Sequence, residues 1–123
     1  MNRRVLIADD EPNIVISLEF LMKREGYAVT VARDGVAALD AIRRERPDLV
    51  LLDVMMPGMS GFDVCQAVRA DESFASVKIV MLTAKGRDTD TAKGIALGAD
   101  AYMTKPFSTK DLAARVRELL GPP

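Results

Sequence analysis

The chain has 123 residues, the size of one domain, and its 49% hydrophobic and 28% charged residues suit a chain that folds rather than one that stays disordered. A formal net charge of −1 provides no basic field for nucleic acid or anionic membranes, and the absence of histidine excludes imidazole bases, imidazole metal ligands and histidine-dependent triads within the chain. One cysteine, Cys65, can neither close an internal disulfide nor build a thiolate zinc cage, and no apolar stretch approaches about 18 residues, so the expectation is a cytoplasmic protein with neither a membrane span nor a secretory signal.

The first apolar run, Val5 to Ala8, closes on Asp9-Asp10, and Pro12 opens a helix striped by Ile14, Leu18, Leu21 and Met22 that ends near Gly26. Ala28 to Ala32 reads as a second strand. The helix after it carries Val36, Leu39 and Ile42 and runs into Arg43-Arg44-Glu45-Arg46, a charge run that suits a solvated helix C-terminus. Leu49 to Leu52 is the third strand and closes on Asp53. Gly58 and Gly61 mark a turn and a helix entry, and Val64 with Val68 stripe the third helix, where Cys65 packs as a small apolar residue. Val77 to Leu82 leads into Thr83-Ala84, and Ala92, Ile95 and Ala96 stripe a fourth helix that ends near Gly98. Ala101 to Thr104 leads into Lys105-Pro106. Ser108 and Asp111 have capping-box spacing at the head of a fifth helix, striped by Leu112, Val116 and Leu119 and ended by Gly121-Pro122-Pro123.

Strand then helix recurs five times, each strand unbroken enough to be covered on both faces. Parallel strands need crossovers of this length, and right-handed crossovers place helices on both faces of the sheet. The prediction is an α/β fold, a doubly wound five-stranded parallel sheet with five helices, forming a single domain over residues 1–123.

Ligands of such a sheet bind beyond the carboxyl ends of its strands. There the sequence sets Asp9, Asp10, Asp53, Thr83 and Lys105, three carboxylates, a hydroxyl and an ammonium on one edge. Crowded carboxylates repel unless a cation offsets them, and a hard divalent ion such as magnesium takes oxygen ligands of this kind.

The runs Ile7-Ala8-Asp9-Asp10-Glu11-Pro12, Leu52-Asp53-Val54-Met55-Met56-Pro57-Gly58-Met59-Ser60-Gly61, Met81-Leu82-Thr83-Ala84 and Lys105-Pro106-Phe107 resemble the receiver domain of two-component response regulators, over about Arg4 to Leu120. The resemblance implies the flavodoxin-like (βα)5 receiver fold. It also implies that Asp53 is the phosphoacceptor, becoming 4-aspartylphosphate at the expense of a phosphohistidine on a histidine kinase or phosphotransfer protein. Asp9, Asp10, Asp53 and the backbone carbonyl of Met55 would be ligands of Mg2+, Asp9 through metal-bound water. Thr83 and Lys105 would contact the phosphoryl oxygens, Thr83 and Tyr102 would form the switch pair, and Lys105-Pro106 would be a cis peptide. The surface expected to shift is the fourth helix, fifth strand and fifth helix. The side chains of Met55 and Lys85, two residues after Asp53 and Thr83, would overhang the phosphoryl group.

Other readings fit less well. An aspartate-nucleophile phosphatase needs a second aspartate where Met55 stands, a flavin carrier needs aromatics and phosphate-binding loops, and a nucleotide hydrolase needs a phosphate-cradling glycine-lysine loop. A docking-only receiver would lack site residues that are present here. The expected output is a separate protein effector or a missing output domain, with no direct nucleic-acid binding by this segment, acting as a monomer or a phosphorylation-dependent dimer. Lys105-Pro106-Phe107-Ser108 with Leu112 and Arg115 is similar to receivers joined to winged-helix DNA-binding domains, although Leu97 and Ala101 stand where the paired acids of their dimers are usual. Kinase pairing is expected near Ile14, Ile16 and Leu18 and in the loop after the fifth strand.

Overall fold

The computed structural model describes residues 3–84 and 88–121. In chain order the elements are β1 (Arg4–Ala8), α1 (Pro12–Arg24), β2 (Ala28–Ala32), α2 (Gly35–Glu45), β3 (Leu49–Asp53), α3 (Gly61–Arg69), a 3-10 turn (Glu72–Phe74), β4 (Lys78–Ala84), α4 (Asp88–Ala96), β5 (Ala101–Lys105) and α5 (Thr109–Leu120). All strands pair in parallel in one sheet of order β2-β1-β3-β4-β5, as the alternation of strands and helices requires.

Local chemistry fixes the helix ends. Pro12 occupies the first turn of α1, where its missing N–H leaves no bond unmade. Asp34 and Ser108 accept from the backbone N–H three residues on, and Ser60 with Asp63 forms a reciprocal capping box at α3 that the sequence reading passed over. Gly26 and Gly98 follow α1 and α4 at φ of 94° and 107°, a region that glycine enters without strain.

Alternation along the strands sorts the core into two layers. Leu6, Ala8, Val50, Leu52, Ile79 and Met81 pack under α2 and α3, whereas Val5, Ile7, Leu49, Leu51, Val80 and Leu82 pack under α1 and α5. Only β1, β3 and β4 are covered on both faces. β2 and β5 are the sheet edges and are half open, because their outer flank has no neighbouring strand.

Two helix stripes differ from the expected ones. In α4, Ala92, Ile95 and Ala96 are exposed and the helix sits on the sheet through Gly94, where an added Cβ would lie 3.1 Å from Met81 Cγ. The expected apolar stripe therefore points to solvent, and close approach is provided by a residue with no side chain. In α2, Val36 is likewise exposed beside Pro57 and Gly58, while Ala38, Leu39, Ala41 and Ile42 carry the packing. The charge run that ends α2 is solvated at Arg43 and Arg44, but Arg46 takes a left-handed cap (φ 51°), stacks 4.4 Å from the Phe74 ring and donates to Ser73 O. Among the described residues, no helix is long and apolar enough to cross a membrane.

Candidate functional site

The site grows out of the α1/α5 layer. Val5, Ile7 and Asp9 share one face of the sheet at β1, Leu49, Leu51 and Asp53 share it at β3, and Ala101, Met103 and Lys105 share it at β5. Two carboxylates and an ammonium thus replace the apolar side chains where the core runs out. Asp9 is fully buried, its N–H bonds Ala32 O, and its Oδ1 accepts from Glu11 N at 2.9 Å. Asp53, 5% exposed, accepts a long bond from Met55 N at 3.4 Å. Gly61 lets α3 start against the tip of β3, since a Cβ there would stand 2.3 Å from Asp53 O.

Lys105 is the hub. Its Nζ lies 2.9 Å from Asp9 Oδ2, 3.1 Å from Glu11 Oε1 and 3.4 Å from Asp53 Oδ1. Burial alone would pull its pKa down, but the Asp9 hydrogen bond, the Asp53 charge and the Glu11 bond prevail and hold the ammonium above the ordinary lysine value. Asp53 moves the other way for a carboxyl. Burial and then the Asp9 charge raise it from 3.8 to about 6, against the opposing pull of Lys105 and the Met55 N–H.

Asp10 is exposed beside these groups, and one oxygen each from Asp9, Asp10 and Asp53 lie within 4.8 Å of one another. An octahedral magnesium shell spans roughly 4.2 Å between opposite oxygens, a separation close to that of these three carboxylates. The all-oxygen donor set fits such an ion, and so does an Asp53 carboxyl raised first by burial and then by the Asp9 charge, which Lys105 offsets only in part.

Thr83 at the tip of β4 is 1% exposed, and its Oγ1 is buried with no hydrogen-bond partner among the described residues. Tyr27 Oη is buried in the same state, but Thr83 Oγ1 stands at the carboxyl ends of the strands, where ligands of such a sheet bind. Tyr102 lies on the same face as Thr83, since Met81 pairs with Tyr102 and Thr83 with Thr104, and its side chain is 46% exposed at the open edge. The Lys105-Pro106 peptide is cis. Met55 is exposed on the loop after Asp53, and Lys85 lies outside the described residues.

Two contributors were missed in the sequence. Glu11 reads there only as part of an acidic run, and its ion pair with Lys105 depends on a contact across 94 positions. Arg69 at the end of α3 donates to Gly98 O, Phe74 O and Val77 O and pairs with Asp100 at 2.8 Å, tying α3 to the starts of β4 and β5. No local signal marks it. On α1, Leu18 belongs wholly to the core, so the exposed apolar pair is Ile16 and Phe20, one turn apart. Ile14 is only partly exposed.

Residues 5–117 match the family model of the response regulator receiver domain. The chain is 49% identical over 120 residues to the DNA-binding response regulator MtrA of Mycolicibacterium smegmatis, covering 98% of this chain and 51% of that protein. It is 48% identical over 120 residues to the MtrA of Mycobacterium leprae, covering 98% of this chain and 52% of that one. The chain thus spans about half the length of these curated relatives. Among solved structures it is similar to the chemotaxis response regulator CheY4 of Vibrio cholerae, with TM-score 0.90, 32% identity and coverage of 98% and 100% of the two chains. The receiver domain of the sensor histidine kinase PA1611 from Pseudomonas aeruginosa PAO1, which has a magnesium ion coordinated in its active-site cleft, is similar with TM-score 0.90, 28% identity and coverage of 98% and 99%.

Proposed function

The chain belongs to the response regulator receiver domain family, a family of signalling domains, and on that footing we propose that residues 1–123 form one receiver domain whose phosphoacceptor is Asp53. The observation that carries this reading is the buried Thr83 hydroxyl, without a hydrogen-bond partner among the described residues, at the strand edge that also holds Asp9, Asp53 and Lys105.

An Asp53 oxygen attacks the phosphorus of a phosphohistidine on a histidine kinase or phosphotransfer protein. The O–P bond forms as the P–N bond breaks in line, and the imidazole leaves with a proton. A carboxylate whose pKa is about 6 remains ionised at neutral pH and is a more basic nucleophile than an ordinary aspartate. Asp9, Asp10, Asp53 and the Met55 carbonyl would hold Mg2+, which supplies charge neutralisation for the phosphoryl oxygens. Lys105 takes one phosphoryl oxygen and Thr83 donates to another. Drawing Thr83 toward that oxygen frees space on its face of the sheet, into which Tyr102 turns from its exposed edge position, and the surface of α4, β5 and α5 shifts with it.

The downstream target is an output region of the DNA-binding kind named in the MtrA relatives, or a separate protein effector. The domain itself contacts no nucleic acid and no membrane. It acts in the cytoplasm as a monomer or as a dimer formed on phosphorylation, and Ile16 and Phe20 contribute to the face that meets the phosphodonor.

The test is intact mass after incubation with magnesium and acetyl phosphate. The expected result is a gain of one phosphoryl group in the parent chain, none in Asp53→Ala, and none in either with EDTA. No gain in the parent under conditions that label an established receiver would reject the switch in favour of phosphorylation-independent docking.

A further inference from the structure

Lys105 makes one contact that the proposed chemistry leaves unused. An ammonium has three N–H donors, and here three carboxylates, Asp9, Glu11 and Asp53, surround it. A phosphoryl group on Asp53 adds three acceptor oxygens and raises the local charge to about −1.5 to −2, so this set of partners has to change. Asp9 cannot yield, being fully buried with its second oxygen bound to Glu11 N. Asp53 carries the group. Glu11 alone can leave at little cost: its side chain is 58% exposed, and among the described residues Lys105 is its one ion-pair partner. Two acceptors on one ammonium lie no more than about 6 Å apart, so a retained Glu11 would face the phosphoryl group as a like charge.

We propose that Glu11 is a releasable brace, a positioning residue that holds the Lys105 ammonium in the resting domain and gives it up to the phosphoryl group, thereby setting how readily the phosphorylated state forms. This rests on Asp53 being the phosphoacceptor. Glu11 itself touches none of the reacting atoms.

The experiment is calorimetric titration of beryllofluoride, a phosphoryl mimic for aspartate, in saturating magnesium, on the parent chain, Glu11→Gln and Glu11→Asp. Glutamine keeps the length and removes the charge, whereas aspartate keeps the charge and withdraws it from Lys105 by one methylene. An exposed ion pair of ordinary strength predicts about 1.5- to 5-fold tighter binding in both variants. Titration with magnesium alone should change less than about two-fold in Glu11→Asp, because the site's net charge is unaltered. Tightening in Glu11→Gln only would assign the effect to the diffuse field of the charge and overturn the brace, as would three equal affinities or a magnesium change as large as the beryllofluoride one. A parent chain that binds no beryllofluoride overturns the phosphoacceptor reading itself, a distinct result.

Discussion

Replacing Asp53 by asparagine should make the metal-free protein more stable at neutral pH. Burial, and then the Asp9 charge, raise the Asp53 carboxyl from 3.8 to about 6. At about 1.4 kcal/mol per pH unit, keeping it ionised costs the fold on the order of 3 kcal/mol. Between pH 3.8 and 6 the folded state holds a proton that the unfolded chain has lost, so stability falls as pH rises through that window, and the full penalty stands above it. Asparagine cannot ionise and keeps an oxygen for the Met55 N–H. In EDTA at pH 7.5, thermal denaturation followed by circular dichroism should place the Tm of Asp53→Asn roughly 5 to 15 °C above the parent. The gap should nearly close by about pH 4, where the parent Asp53 is protonated. Magnesium should close it at pH 7.5 by raising the parent. Equal melting temperatures at pH 7.5 in EDTA, or a gap undiminished at the acidic pH, would refute the buried Asp53 charge as the source of the cost.

Two further outcomes follow from single contacts. Thr83→Ala removes a buried hydroxyl that has no partner among the described residues, so urea denaturation should find the unphosphorylated domain unchanged or up to about 1 kcal/mol more stable, and a loss of about 1 kcal/mol or more would mean the hydroxyl is satisfied. Arg69→Ala removes all four bonds that the guanidinium donates, leaving Phe74 O only its Val77 N–H and Asp100 only its Ile79 N–H, and should cost about 2 to 4 kcal/mol by the same method, with a loss below about 0.5 kcal/mol counting against its tying role.

The parallel sheet and its two layers were legible because β1, β3 and β4 are short, unbroken and apolar, and a strand buried on both faces leaves that signature. The position of the carboxylates at strand tips was equally visible, since Asp9 and Asp53 directly close such runs. The seating of α4 was not. Periodicity marks large apolar residues, and Ile95 was given a core role that Gly94 fills by close approach, which no hydropathy pattern records. The Glu11 and Arg69 contacts also escaped, because each joins segments distant in sequence through a charged side chain that would read as surface if taken singly.

The shared face of Asp9, Asp53 and Lys105 makes the chemistry hostage to strand length. Each group inherits its direction from the two-residue alternation that buries Ile7, Leu51 and Met103 beneath it. One residue inserted within β3 between Leu49 and Asp53 would turn the Asp53 carboxylate into the opposite layer, toward α3, and leave an apolar neighbour facing Lys105. Length can therefore vary in the loops below the strands and in the helices, but between core and strand tip the chain must keep count to the single residue.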